Sequence, residues 1–230
     1  MSSEPVTIAI DGPSGSGKSS VSRAVATTLG LRYLDTGAMY RALAWWCLDQ
    51  GIDLADLDAV ARASADFELQ MGTDPQQPTV HVGRFDLAEA IRTTEVSGVV
   101  SQVATNLGVR ANMRERQRAI IRRSRAEGPG VVVEGRDITT VVAPEAEHRV
   151  LLSASQEARL ARRARELFDS DDRVALAATH DHVVGRDRED STVSAFFEPA
   201  EGVVGIDTSH LTFDQSVAAV LATVAPVEAP

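Results

Sequence analysis

The sequence predicts an α/β fold with a parallel-sheet core, helices on both faces, an insert carrying a small antiparallel sheet, and a short helical lid. Three observations predict it. A β-branched run, Val6 to Ile10, passes through a glycine-rich loop into a stretch with helical periodicity. Two short apolar runs, at 131–134 and 149–152, have the make-up of strands buried on both faces. Between Asp66 and Leu87 the hydrophobic period changes to two, which marks an antiparallel sheet set into an otherwise α/β chain. At 230 residues the chain has the length of a single domain. We therefore read 1–230 as one domain with an insert at 38–100 and lid and flap helices at 156–192.

In order along the chain, Val6 to Ile10 is a strand, and Ser19 to Leu29 is a helix stopped by Gly30. Leu31 to Leu34 is a second strand, Ala38 to Gln50 a helix ending at Gly51, and 53–64 a further helix. After the small sheet, Val99 to Glu127 reads as a long, mostly helical, arginine-studded stretch closed by Gly128-Pro129-Gly130. Gln156 to Leu167 and Arg173 to Arg188 are two helices so polar on every side that they predict a mobile, exposed flap. The last strand lies at 203–206, the last helix runs from Phe213 to Ala222, and 224–230 is expected to fray.

Composition narrows the classes. With 43% hydrophobic and 24% charged residues the chain matches ordinary globular proteins. A formal charge of −10 opposes nonspecific binding to nucleic acid, so any anionic ligand must meet a local basic site. Cys47 is the only cysteine, which excludes an internal disulfide and a cysteine zinc site; in AlaTrpTrpCysLeu it reads as a buried thiol. The five histidines have no metal-ligand spacing. No apolar run approaches the roughly 18 residues of a membrane span, and the start lacks a basic stretch followed by an apolar one. The expectation is a cytoplasmic protein that binds small molecules, with neither membrane nor nucleic acid as partner.

Gly12-Pro13-Ser14-Gly15-Ser16-Gly17-Lys18-Ser19, followed by Ser20, fits G-x-x-x-x-G-K-[ST] between strand and helix. Glycines let successive backbone amides converge on phosphate oxygens at a helix N-terminus. Lys18 adds a flexible charge, and the Ser19 hydroxyl is placed for a nucleotide-bound Mg²⁺. Of the 23 basic residues 22 are arginine, so Lys18 is the only lysine; arginine's rigid fork does not substitute for a point charge in this loop. The motif predicts a bound nucleoside triphosphate and leaves the reaction open.

An anionic second ligand would need arginines away from the loop. Asp35-Thr36-Gly37-Ala38-Met39-Tyr40-Arg41 and Glu134-Gly135-Arg136-Asp137 each follow a strand, which puts Thr36, Arg41 and Arg136 at the strand ends where open α/β sheets bind ligands. Asp137 is either an ion-pair partner of its surroundings or a reader of the second ligand. Arg114, Arg116, Arg118, Arg122, Arg123 and Arg125 read as a solvated helix face.

These stretches, together with IleArgThrThrGluValSer, SerGlnValAla, and ArgAspxxAspSer in the flap, resemble the bacterial cytidylate kinases over nearly the whole chain. The resemblance implies a nucleoside-monophosphate kinase fold of the P-loop class and transfer of the ATP γ-phosphoryl group to CMP or dCMP, with Mg²⁺, by a monomer. It implies that Ser101, Arg110 and Asp137 face the cytosine edge, that Arg41 and Arg136 hold the acceptor phosphate, and that Thr36 and Tyr40 line the pocket. Arg186 and Asp190 would reach the ribose or phosphate from the flap, and Arg162 and Arg163 would approach ATP. Lys18, Arg41, Arg136 and Arg162 are then the catalytic group. Val193 stands where the family pattern carries another phosphate-contacting arginine, so that contact is absent or comes from a neighbour such as Arg188. The rival readings are a kinase for another small acceptor and a nucleotide-binding regulator without efficient transfer.

Overall fold

A computed structural model describes residues 4–224, apart from the side chains at 166, 167, 173, 178, 181 and 182. All but the first residue of the expected frayed tail lies outside the described residues. The first run forms β1 (Val6–Asp11), the glycine-rich loop follows, and α1 (Lys18–Leu29) ends on Gly30 in the left-handed region. β2 (Arg32–Asp35) leads directly into α2 (Thr36–Asp49). The insert holds α3 (Leu57–Asp66) and a three-stranded antiparallel sheet of β3 (Leu69–Met71), β4 (Val80–Val82) and β5 (Phe85–Asp86). After α4 (Thr94–Ala104) and α5 (Leu107–Ala126) come β6 (Gly130–Gly135) and β7 (His148–Ser153). The segment expected to form the lid holds α6 (Gln156–Phe168), α7 (Arg173–His180) and α8 (Arg186–Asp190); β8 (Val204–Asp207) and α9 (Phe213–Val224) end the described chain.

The main sheet is parallel throughout, in the order β2-β6-β1-β7-β8. Strand alternation divides the core between its faces. Ile8, Ile10, Val132, Val150 and Leu152 pack with Val21 and Val25 of α1 and Val220 of α9. Ala9, Leu34, Val131 and Val133 pack with Met39 and Leu43 of α2, Val96 and Val100 of α4, and Met113 of α5. Cys47 is fully buried in this second cluster, and burial pushes its thiol up to about 11. The α/β fold with a parallel core and a small antiparallel sheet is as the sequence predicts.

Three elements differ from expectation. The mostly helical stretch predicted over 99–127 divides between α4 and α5, because Asn106 leaves the helical path and its side-chain oxygen accepts from the amides of Gly108 and Val109, starting α5 afresh. The helix expected over 173–188 is helical throughout but carries a π-helical turn at Asp181–Gly185 between α7 and α8. The lid is not exposed on every side: Arg159, Asp187 and Asp190 are buried. Their charges face one another and the phosphate loop instead of water, a choice that polarity read one residue at a time does not reveal.

Candidate functional site

The loop after β1 opens at the carboxyl edge of the sheet, where β6 lies between β1 and β2 and the chain order reverses. Gly17 caps α1 at φ 86°, a left-handed conformation, with no side chain capping the helix and no acidic residue in its first turn. Its leading amides therefore point outward uncompensated, as an anion site requires. Gly15 is also left-handed, at φ 77°, and a Cβ there would come within 2.7 Å of the Arg159 carbonyl oxygen in the lid. The loop thus has no room for a side chain on its lid side.

One cavity of about 590 Å³ runs from this loop to the end of β6 and under the lid. That lies within the roughly 300–1,000 Å³ usual for ligand pockets. Its wall includes Ser14, Gly15, Gly17, Lys18, Ser19 and Ser20 at one end. Thr36, Tyr40, Arg41, Arg110, Arg136, Asp137, Arg163, Arg186 and Asp190 line the rest of the same space. Gly12, Pro13 and Ser16 are buried beneath the loop, off the wall.

Each anchoring side chain is set by its element. Asp35 caps α2 by accepting from the Ala38 amide at 2.8 Å and pairs with Arg41 at 2.9 Å, so the cap also aims the arginine. Burial pushes the Asp35 carboxyl up, but Arg41 and the capping amide outweigh it and hold it below its ordinary value. Thr36 donates to the Glu134 carbonyl at 2.7 Å, closing the β2–β6 seam. Arg136 lies between Asp187 at 2.8 Å and Asp190 at 3.0 Å, with its guanidinium 4.6 Å over the Phe196 ring. Arg186 is 3.6 Å from Asp190. Burial, with Arg136 and Arg41 nearby, brings the Arg186 guanidinium down to about 9. Three carboxylates, Asp35, Asp187 and Asp190, meet these three arginines, yet Arg41 Nε and Arg186 Nε are buried with no hydrogen-bond acceptor, donors that an anion in the cavity could satisfy.

At the far wall Arg110 donates to Asp137 at 2.5 Å, to Ser194 at 2.9 Å and to the Ala104 carbonyl at 3.2 Å. Burial raises the Asp137 carboxyl against the pull of Arg110 and Arg114. Asp137 is therefore an ion-pair partner that also fronts the cavity, so its two readings are compatible. From α4, Ser97 and Ala104 line the cavity, whereas Ser101 between them is buried off the wall. Arg162 donates to the Ser16 carbonyl at 3.3 Å and to both the hydroxyl and the carbonyl of Thr208. It braces the loop from behind, and its neighbour Arg163 lines the cavity.

Arg188 is exposed and off the wall, so it does not stand in for the arginine expected at Val193. The segment after Val193 contributes Ser194 to Arg110 and the fully buried Phe196 to Arg136, steadying arginines already present. The α5 arginines are also not merely solvated. Arg116 caps the Ala65 carbonyl, Arg118 binds the Val141 and Val142 carbonyls, and Arg125 reaches Thr7 and Glu147, while Arg122 and Arg123 are exposed.

Several site residues had no role assigned from sequence. Glu134 is 2% exposed, 3.5 Å from Lys18, and accepts from the Tyr33 hydroxyl at 2.6 Å. A carboxylate closing an apolar strand beside a phosphate loop was the available signal, since buried carboxylates need partners. Asp11, also buried, accepts from the Ile138 and Thr139 amides and the Thr139 hydroxyl, tying β1 to the turn that carries Arg136 and Asp137. Burial raises it to about 6. Asp187 had a signal in the ArgAspxxAspSer motif, where it stands second, whereas Ser194 carried none separable from its neighbours.

The sequence profile of the cytidylate kinase family matches residues 8–226. A cytidylate kinase of Streptomyces avermitilis is 46% identical over 220 residues, covering 95% of this chain and 92% of that one. One from Cutibacterium acnes is 47% identical over 223 residues, covering 96% of each. A bifunctional pantoate ligase/cytidylate kinase of Thermosynechococcus vestitus is 50% identical over 162 residues, 70% of this chain and 31% of that protein.

Proposed function

The chain belongs to the cytidylate kinase family, and from that premise we propose that it transfers the γ-phosphoryl group of ATP to CMP or dCMP, giving ADP and CDP or dCDP. The observation that carries this reading is the single cavity joining an uncapped, lysine-bearing helix N-terminus to a cluster of three arginines. A polyphosphate fits the first end and a monophosphate the second. An acceptor-phosphate oxygen attacks the γ-phosphorus as its bond to the β–γ bridging oxygen breaks, and the charge leaves on ADP. Catalysis then consists of alignment and charge stabilisation by Lys18, Arg41, Arg136 and Arg186.

At the base end, Asp137 can accept from the exocyclic amine of cytosine while Arg110 donates to its ring nitrogen and carbonyl; uracil offers a carbonyl where that amine was. Ser101 enters the base site only by rotating out of its buried position. Arg163 and the loop residues hold ATP, and Arg162 acts by holding the loop.

The Ser19 hydroxyl and the Glu134 carboxylate are hard oxygen donors on the same cavity, which suits Mg²⁺. Among the described residues no cluster of three or more carboxylates, histidines or cysteines could hold a metal by itself, so the ion would arrive with the nucleotide. When bound it neutralises charge on the phosphates. Among the described residues no helix is long and apolar enough to cross a membrane; we propose a cytoplasmic monomer with a core, an acceptor-binding insert at 38–100 and a lid at 156–192.

A coupled assay of ADP release across nucleoside monophosphates, with and without Mg²⁺, tests the reading. CMP and dCMP should lead, with turnover dependent on Mg²⁺. A ten-fold advantage of AMP or UMP would overturn the acceptor assignment, and ATP consumption indifferent to CMP would overturn the transfer.

A further inference from the structure

Asp187 receives three partners from three distant parts of the chain. Its carboxylate accepts from the Ser14 amide of the phosphate loop at 3.1 Å, pairs with Arg136 at the end of β6 at 2.8 Å, and pairs with Arg159 of α6. Arg159 in turn donates to the Ser14 carbonyl at 3.0 Å. The Asp187 side chain is only 3% exposed and does not line the cavity, unlike its neighbours Arg186 and Asp190. It therefore acts through other groups.

A carboxylate this buried is tolerable only while its partners are in place, and removing one leaves an uncompensated charge. The phosphate loop, the acceptor arginine and the lid helix consequently gain most by arriving together. Both Asp187 and Asp190 meet the same Nη1 of Arg136, whose guanidinium is backed by Phe196, so the direction of that arm toward an acceptor phosphate depends on Asp187 together with Asp190. We propose that Asp187 is a positioning residue through which donor loop, acceptor arginine and lid close as one unit, so that the acceptor nucleotide tightens ATP binding.

This inference rests on the CMP kinase reading, and the test separates the two. Titration calorimetry on the full chain would measure a non-hydrolysable ATP analogue with and without saturating CMP. The unaltered protein should bind the analogue about five-fold or more tightly with CMP present. In Asp187→Asn the gain should fall below about two-fold, and kcat should drop about ten-fold or more. Asp187→Glu should restore part of both. Arg159→Gln, which breaks only the lid arm, should lose the coupling too and serves if Asp187→Asn does not fold. A merely structural role would lower thermal stability and leave the coupling intact. Full coupling in either variant, or none in the unaltered protein, overturns the proposal. Coupling unchanged in a protein that still phosphorylates CMP rejects the role of Asp187 alone, whereas no CMP binding and no phosphorylation reject the CMP kinase reading with it.

Discussion

In the proposed transfer Lys18 and Arg186 stabilise negative charge in different ways. Lys18 is the point charge at the uncapped end of α1, and Lys18→Met should cut kcat on the order of 10²–10³-fold while CMP binding changes little, as steady-state kinetics and CMP titration would reveal. Arg186 is an expensive cation, brought down to about 9 by burial and by Arg136 and Arg41. Arg186→Gln removes one of the three cations at the acceptor end, so the KM for CMP should rise about ten-fold or more in steady-state kinetics, with kcat less affected. Arg110 carries the base assignment. Arg110→Met removes a charge-assisted donor and leaves Asp137 buried without its cation, so kcat/KM for CMP should fall about 10–100-fold, with the preference over UMP largely lost in the same assay.

Elements owe their boundaries here to single polar residues. Asn106 ends one helix and starts the next, and its amide also donates to the Leu57 carbonyl at 2.7 Å, joining α5 to α3. Asn106→Ala should cost about 1–2 kcal/mol in urea unfolding, with the denaturant slope unchanged. The sequence contained this cap, but a continuous helical period across it hid the break, because residues 99–127 alternate apolar and polar in helical fashion on both sides. The π-helical turns are less legible still. Ile138–Val142 exists because Asp11, from another strand, takes the amides that open it, and no local pattern of five residues encodes a partner 127 residues away. The α5 arginines read as solvated because the carbonyls that bind Arg116 and Arg118 belong to other elements.

For the whole molecule, the sheet order decides what the motifs can do together. β6 between β1 and β2 brings Glu134 beside Lys18 and Arg136 within reach of the lid, although the motifs lie more than a hundred residues apart. If one chain holds the complete site, light scattering during size-exclusion chromatography should give a mass near 24.6 kDa, with activity in that peak; a stable dimer would contradict the monomer we propose. By itself the sequence determined the α/β class, the phosphate loop, the lone lysine and the arginine motifs, because each depends on spacing within a turn or two of backbone. The tertiary structure decided the rest: that Arg162 braces the loop while Arg163 faces the cavity, that Ser101 is buried, that Arg188 leaves the Val193 gap unfilled, and that the charged lid folds inward on Asp187. Neighbouring arginines in a charged helix are chemically identical until packing sets which one is desolvated and by which carboxylate it is met, and that is a property of distance in space that residue order does not carry.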